Sequence, residues 1–210
     1  MRFDEFAPEV LAKALQQPLP GVEAQVQLAH PARKLSAPEG VTPREAGVLI
    51  LLYPDAEGRL RFPLIERTSH NVNDRHRGQI GLPGGKREPE DIDMVATALR
   101  EAEEEVGADA SRINVLGELS TLYIPVSNFS VYPVVGVAET EPTWVPQVSE
   151  VARVLHASVE ELCADVRLTE RALGNGVNLR NVPHFKLGGE EVWGATAMIL
   201  SELRQVMGLA

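Results

Sequence analysis

The chain of 210 residues has one cysteine, Cys163, so no disulfide can close within it, and a reducing, cytoplasmic setting is the expectation. It lacks any apolar run approaching the roughly 18 residues that cross a bilayer. The longest apolar stretch near the middle, Val48 to Tyr53, has the length of a buried strand. The opening residues, MRFDEFAPEV, carry acids and no apolar segment, so no secretory signal is expected. Bases are also short: 20 Lys and Arg stand against 30 Asp and Glu, giving a net charge of -10. That deficit argues against passive binding to nucleic acid or to an anionic membrane. There is no basic tail and no helix-turn-helix pattern to support a DNA-binding regulator, and no internal repeat or low-complexity tract. What remains is an ordinary globular composition, 44% hydrophobic and 24% charged, in a chain long enough for a sizeable core.

The charges are segregated. Seven bases lie between Arg59 and Arg87 (Arg59, Arg61, Arg67, Arg75, Arg77, Lys86, Arg87), with only Glu66 and Asp74 among them. From Glu88 to Glu105 there are eight acids and one base, Arg100. Pro83-Gly84-Gly85 stands close to the junction. Two solvated faces are one reading of this pattern; acids that hold a cation beside bases that hold an anion are the other.

Residues 1–43 read as a helical appendage and linker: Phe3, Phe6, Val10, Leu11 and Leu15 fit one helical face, Pro18 to Gly21 ends it, and Pro31, Pro38 and Pro43 punctuate the link to the first strand. A domain is predicted over 44–210. It opens with a buried strand, Ala46 to Tyr53, a turn through Gly58, and a returning strand, Leu60 to Arg67. A polar loop, Thr68 to Gly78, leads to the glycine turn. The strongest helix comes after it, with apolar residues at Ile92, Val95, Leu99, Ala102 and Val106 and a terminal Gly107. Strands are expected at Leu116–Leu122, Phe129–Ala138 and Val192–Thr196, and helices at Val159–Ala164, Glu170–Leu173 and Ala197–Met207. Strands around one central helix make a single α/β (α+β) domain. Cys163 shares an amphipathic stretch with Val159, Leu162 and Val166 and is expected to face inward. His70, His156 and His184 show no metal-ligand spacing. Phe129, Tyr132, Phe185 and Trp193 read as core residues or as a platform for a base.

At 100° per residue, Glu101, Glu104 and Glu105 share one face of the central helix, opposite its apolar stripe. Three like charges there repel, and Arg100 cannot neutralise them alone. A hard divalent cation such as Mg²⁺ takes carboxylate oxygens and keeps sites for phosphate; a solvated acidic face has the same spacing.

The run Gly84-Gly85-Lys86 … Leu99-Arg100-Glu101-Ala102-Glu103-Glu104-Glu105-Val106-Gly107 resembles the Nudix box, the signature of the Nudix hydrolases. Its second half, R-E-x-x-E-E-x-G, is matched at every fixed position. The pattern G-x5-E-x7-R-E departs in two places: Asp91 stands where Glu is usual, and Arg100 comes one residue late. A box of this longer form is similar to the coenzyme A pyrophosphatase branch. That branch carries an upstream motif like Leu64-Ile65-Glu66-Arg67-Thr68-Ser69 and His76-Arg77-Gly78-Gln79-Ile80-Gly81-Leu82-Pro83-Gly84-Gly85. The loop between the two parts is about two residues longer here, and Leu82 replaces the usual Phe.

The resemblance implies a Nudix-type α/β/α sandwich with a mixed central sheet and a hydrolase that cleaves a nucleoside diphosphate derivative by water attack on phosphorus. It implies Mg²⁺ or Mn²⁺ on Glu101, Glu104, Glu105 and the Gly84 carbonyl. Glu101 and Glu104 would act in catalysis, Arg100 would orient a carboxylate of the box, and Arg67, Arg77 and Lys86 would bind substrate phosphate. The substrate expected first is coenzyme A or a derivative, cleaved to 3′,5′-ADP and 4′-phosphopantetheine. Another nucleoside diphosphate derivative, ADP-ribose or NADH, and a non-catalytic Nudix-fold binding module stay as alternatives. The expected partner is a small molecule, neither nucleic acid nor membrane, and a homodimer is left open.

Overall fold

The computed structural model describes residues 1–68, 78–172 and 178–209. Helices α1 (Pro8–Leu15) and α2 (Val22–Gln25) precede the strands β1 (Arg44–Pro54), β2 (Leu60–Arg67), β3 (Ile80–Gly81) and β4 (Gly84–Lys86). Helix α3 (Met94–Val106) comes next, then β5 (Asn114–Glu118), β6 (Leu122–Ile124), β7 (Phe129–Val137) and β8 (Val151–Ser158). The chain ends with β9 (Arg167–Ala172), β10 (Asn178–Leu187), β11 (Glu190–Trp193) and α4 (Gly194–Val206).

The main sheet runs β3-β2-β1-β7-β5, with β4 on β1, β6 on β7 and β8 on β2. It is mixed: β1 and β7 are parallel over Arg44 to Leu52, and the other pairings are antiparallel. β9, β10 and β11 form a second, antiparallel sheet.

β1 explains the layering. Its apolar run is buried on both faces, because residue alternation sends Leu49, Leu51 and Tyr53 one way and Ile50 and Leu52 the other. The first set packs with Ala98, Ala102 and Val106 of α3. The second joins Phe62, Leu64, Phe185, Leu200 and Leu203, and also Leu11, Leu15 and Leu28 of the N-terminal segment. The result is a helix–sheet–helix sandwich, as the motif implied. α3 lies close on β1 because Gly47 faces it: a Cβ there would stand 2.8 Å from both the Met94 carbonyl oxygen and the Ala98 nitrogen.

The N-terminal segment is tied to the C-terminal helix by a buried carboxyl. Glu202 of α4 is 0% exposed and accepts from Gly21 N at 3.1 Å, Gln25 Nε2 at 2.9 Å and Ser120 N at 3.2 Å. Ser201 Oγ donates to the Ala24 carbonyl at 2.8 Å.

Several local expectations change, among them the strand expected at Leu116–Leu122, which is split between β5 and β6. Ile92 precedes α3 and is 86% exposed, because Asp93 caps the helix by accepting from Ala96 N. Glu170 to Ala172 belong to strand β9, not to a helix, since β10 supplies a pairing partner that local pattern cannot foresee; Leu173 lies outside the described residues. Cys163 is exposed, because Val159–Cys163 is a short 3-10 turn that buries Val159 and Leu162 only. The strand expected at Val192–Thr196 stops at Trp193, where α4 begins. No helix among the described residues is long and apolar enough to cross a membrane.

Candidate active site

The site forms where β4 meets α3. Gly84 and Gly85 pair with Val48 and Gly47 of β1, and both need to be glycine. Gly84 sits at φ 152°, and a Cβ on it would meet the Gly47 carbonyl oxygen at 2.3 Å. A Cβ on Gly85 would meet the Glu101 carboxylate at 2.4 to 2.6 Å. The glycine turn therefore lets the carboxylates of α3 lie directly against backbone.

The three helix glutamates share a side but not an environment. Glu104 is exposed, with 60% of its side chain accessible; Glu101 keeps 14% and Glu105 2%. Helix geometry gives the reason: Glu105 stands roughly 40° around from Glu101, towards buried Ala102. In its buried place Glu105 accepts from Gly84 N at 2.8 Å and from Arg67 Nη1 at 3.3 Å. Burial above all pushes its pKa up to about 7, with Glu101 and Glu150 adding to the rise and the Gly84 N–H and Arg67 opposing it. Glu101 is raised too, first by burial and then by Glu104 and Glu150, against Arg100.

Arg100 is the hub of the turn. It forks onto Asp91, Nε to Oδ1 and Nη2 to Oδ2, both at 3.0 Å. Its Nη1 reaches Glu101 at 3.1 Å and Glu104 at 3.0 Å, and Nη2 also donates to the Lys86 carbonyl at 3.1 Å. The Asp91 carboxyl, 7% exposed, also accepts from Glu88 N and Thr97 Oγ1. The Arg100 fork holds Asp91 well below the usual carboxylate range, with those donors helping, and Asp91 in turn raises Arg100. Aspartate thus fills the place where the family pattern has glutamate, and it does so from a buried position.

A cleft of about 370 Å³ gathers Arg67, Gly84, Lys86, Arg100, Glu101, Glu104 and Glu105, the sequence-predicted site residues apart from Arg77. Arg77 and His76 lie outside the described residues. Three further residues line it, Glu88, Gln147 and Glu150, and the last two carried no signal in the sequence. The segment bearing them is pinned to the end of α3: Val145 N donates to the Val106 carbonyl and Gln147 N to the Glu105 carbonyl, each at 2.9 Å. Gly107, with φ 73°, leaves room for this, since a Cβ there would stand 3.0 Å from Val145 Cβ. Thr68 N holds the other end, donating to the Glu150 carbonyl at 2.8 Å.

The donor set fits a hard divalent cation: the cleft is lined by five carboxylates, Glu88, Glu101, Glu104, Glu105 and Glu150, and by backbone oxygen, with no sulfur or imidazole. Among the described residues no three acidic, His or Cys side chains converge as a ready-made cage. Glu101 and Glu104 share Arg100, while Glu105 is held by Gly84 and Arg67.

The comparisons give the family and the fold. The family model of the NUDIX domain matches residues 43–173. Nudix hydrolase 15, mitochondrial, of Arabidopsis thaliana is 34% identical over 78% of this chain and 58% of its own length. An uncharacterized Nudix hydrolase, NudL, of Yersinia pestis is 32% identical over 88% of this chain and 92% of its own length. The chain therefore spans little more than half of the plant relative and nearly all of the bacterial one. Among solved structures, the M. smegmatis Nudix hydrolase RenU superposes with a TM-score of 0.53 at 19% identity, over 79% of this chain and 86% of that one. A MutT protein from Methanosarcina mazei gives 0.51 at 15% identity, over 80% and 99%. This chain belongs to the Nudix family.

Proposed function

We propose that the protein is a divalent-metal-dependent hydrolase of nucleoside diphosphate derivatives, with coenzyme A or one of its derivatives as substrate. The observation that carries the reading is that Glu101, Glu104, Glu105 and Glu150 all line one cleft beside the Gly84-Gly85 turn. Carboxylates lining one cleft repel one another, which adds to the burial that raises Glu101 and Glu105, and a cation would relieve that repulsion. Bound there, Mg²⁺ or Mn²⁺ would polarise phosphoryl oxygens and offset the charge of the diphosphate.

The chain's own residues supply the rest. Glu101, Glu104, Glu105 and the Gly84 carbonyl would hold the cation, with Glu150 facing them. Glu101 is largely withdrawn from solvent with a raised pKa, which suits a group that accepts a proton from attacking water. Arg100, fixed by Asp91, orients Glu101 and Glu104. Arg67 and Lys86 line the cleft as donors to the diphosphate, and Arg77 is proposed for the same task from its motif. Coenzyme A is favoured by the motif at Leu64–Arg67 and His76–Gly85. The lone cysteine suits a cytoplasmic setting.

The test is hydrolysis of coenzyme A, ADP-ribose, NADH and nucleoside triphosphates with Mg²⁺ or Mn²⁺, with product identification. 3′,5′-ADP and 4′-phosphopantetheine from coenzyme A are expected, and Glu104→Gln is expected to cut kcat by orders of magnitude while the thermal transition stays put. Turnover of ADP-ribose with coenzyme A untouched would overturn the substrate; no turnover of any would overturn the activity.

A further inference from the structure

Away from the cleft, one face of the β9–β10–β11 sheet gathers positive charge in a protein whose net charge is -10. The register sets Arg167 opposite His184 and His184 opposite Trp193, so these three side chains share a face. Arg171 joins them through the two-residue alternation of β9. Its guanidinium reaches across β10: it lies 5.5 Å from the Trp193 ring centroid and pairs with Glu191. His184 is 3% exposed, with Nε2 3.8 Å from Glu191. Glu191 is the only acid that β9, β10 and β11 place on this face among the described residues.

Two features remain unaccounted for by that network. Arg171 Nε and His184 Nδ1 are buried and have no hydrogen-bond partner among the described residues. More than nine in ten buried polar groups find one, and each exception costs on the order of 1–3 kcal/mol. Arg167 is exposed and makes no side-chain hydrogen bond or ion pair among the described residues. Trp193 is only part-buried and is also the residue from which α4 starts, with no side chain capping that start. The positive end of the helix dipole thus lies at the end of β11. Thr196 Oγ1 donates to the Ile80 carbonyl at 3.2 Å, which fastens this region to the segment entering the Pro83-Gly84-Gly85 turn.

We infer that this face binds a phosphomonoester carried by an adenine nucleotide. The base lies against the indole of Trp193, and the phosphate pairs with Arg167 and Arg171, taking the place that Glu191 now holds. The planar guanidinium fork matches phosphate geometry, and stacking on indole accepts any base. The inference rests on the proposed function only for the ligand's identity: a diphosphate substrate whose adenosine carries a further phosphate, as coenzyme A does, needs a cationic site apart from the carboxylates that hold metal.

The experiment is calorimetric titration of the full-length, metal-free protein with 3′,5′-ADP, alongside coenzyme A hydrolysis. Saturable binding is expected, weakened about tenfold by Arg171→Gln and by Arg167→Gln, each removing one charge-assisted contact. Glu191→Gln should tighten it by removing the internal competitor. Arg167 is exposed, so its variant keeps the test valid if Arg171→Gln fails to fold. Absence of saturable binding at millimolar ligand, or equal affinity in the wild type and both arginine variants, overturns the inference even if coenzyme A is hydrolysed. If coenzyme A is untouched and binding still keeps this pattern, the site stands and the substrate assignment falls.

Discussion

At the scale of single residues, the site depends on what is missing from side chains as much as on what is present. Gly85 has only a hydrogen where the Glu101 carboxylate needs room. Gly85→Ala is therefore expected to push Glu101 aside and lower kcat by about 100-fold. The obstacle is the far end of a flexible side chain, so the melting temperature should move by only a few degrees. Activity and thermal melting on the same sample would check both halves. The Asp91–Arg100 fork gives a pH signature. Asp91 has its folded pKa depressed, so its contribution to stability is present above the unfolded value of about 3.9 and is lost as pH falls towards the folded one. The stability gap between wild type and Asp91→Asn, measured by denaturant unfolding, should be steady near neutrality and should close under acid. The helix carboxylates and Arg100 were legible because 3.6-residue periodicity places them together. The burial of Glu105 was not, since the spacing that groups it with Glu101 also carries it to the edge of the apolar stripe. Glu150 was illegible for a plainer reason: it lies 45 residues beyond Glu105 and reaches the cleft through backbone bonds that leave no side-chain pattern.

At the scale of elements, the fit of α3 onto β1 sets the distance at which carboxylates and glycine turn confront each other. Gly47→Ala would drive a methyl group into helix backbone at the Met94 carbonyl and Ala98 nitrogen. Neither atom can rotate away, so the helix must lift, and a loss of about 1–3 kcal/mol is expected, read as a melting temperature several degrees lower. β1, β2, β7 and α3 were visible in the sequence because each carries a long apolar pattern of one period. β8, β9 and β10 were not. In β8, Ala152, Arg153 and His156 are exposed between buried residues. In β9, four of six residues are charged or Thr. Such strands owe their state to a partner: β8 to β2, β9 to β10.

At the scale of the whole molecule, the N-terminal 43 residues and the last helix close one side of the sandwich together. Glu202→Ala would leave Gly21 N and Ser120 N without their side-chain acceptor in a buried place and take one of the two acceptors of Gln25 Nε2, which keeps the Ser120 carbonyl. A loss of about 3 kcal/mol or more is expected by denaturant unfolding, with hydrolase kinetics in the surviving folded fraction little changed. The sandwich order was legible from the family motif. The docking of residues 1–43 was not, because prolines and short helices read as a linker when the surface they cover is distant in sequence. That distance has a consequence for how the protein is made. Gly21 and Glu202 are 181 positions apart, so the earlier segment finds its acceptor only after the whole stretch between them has been made. Until α4 emerges, Leu11, Leu15 and Leu28 have no completed wall to lie against. The apolar side chains of α1 must wait for α4, so this part of the core is closed by its most distant contacts.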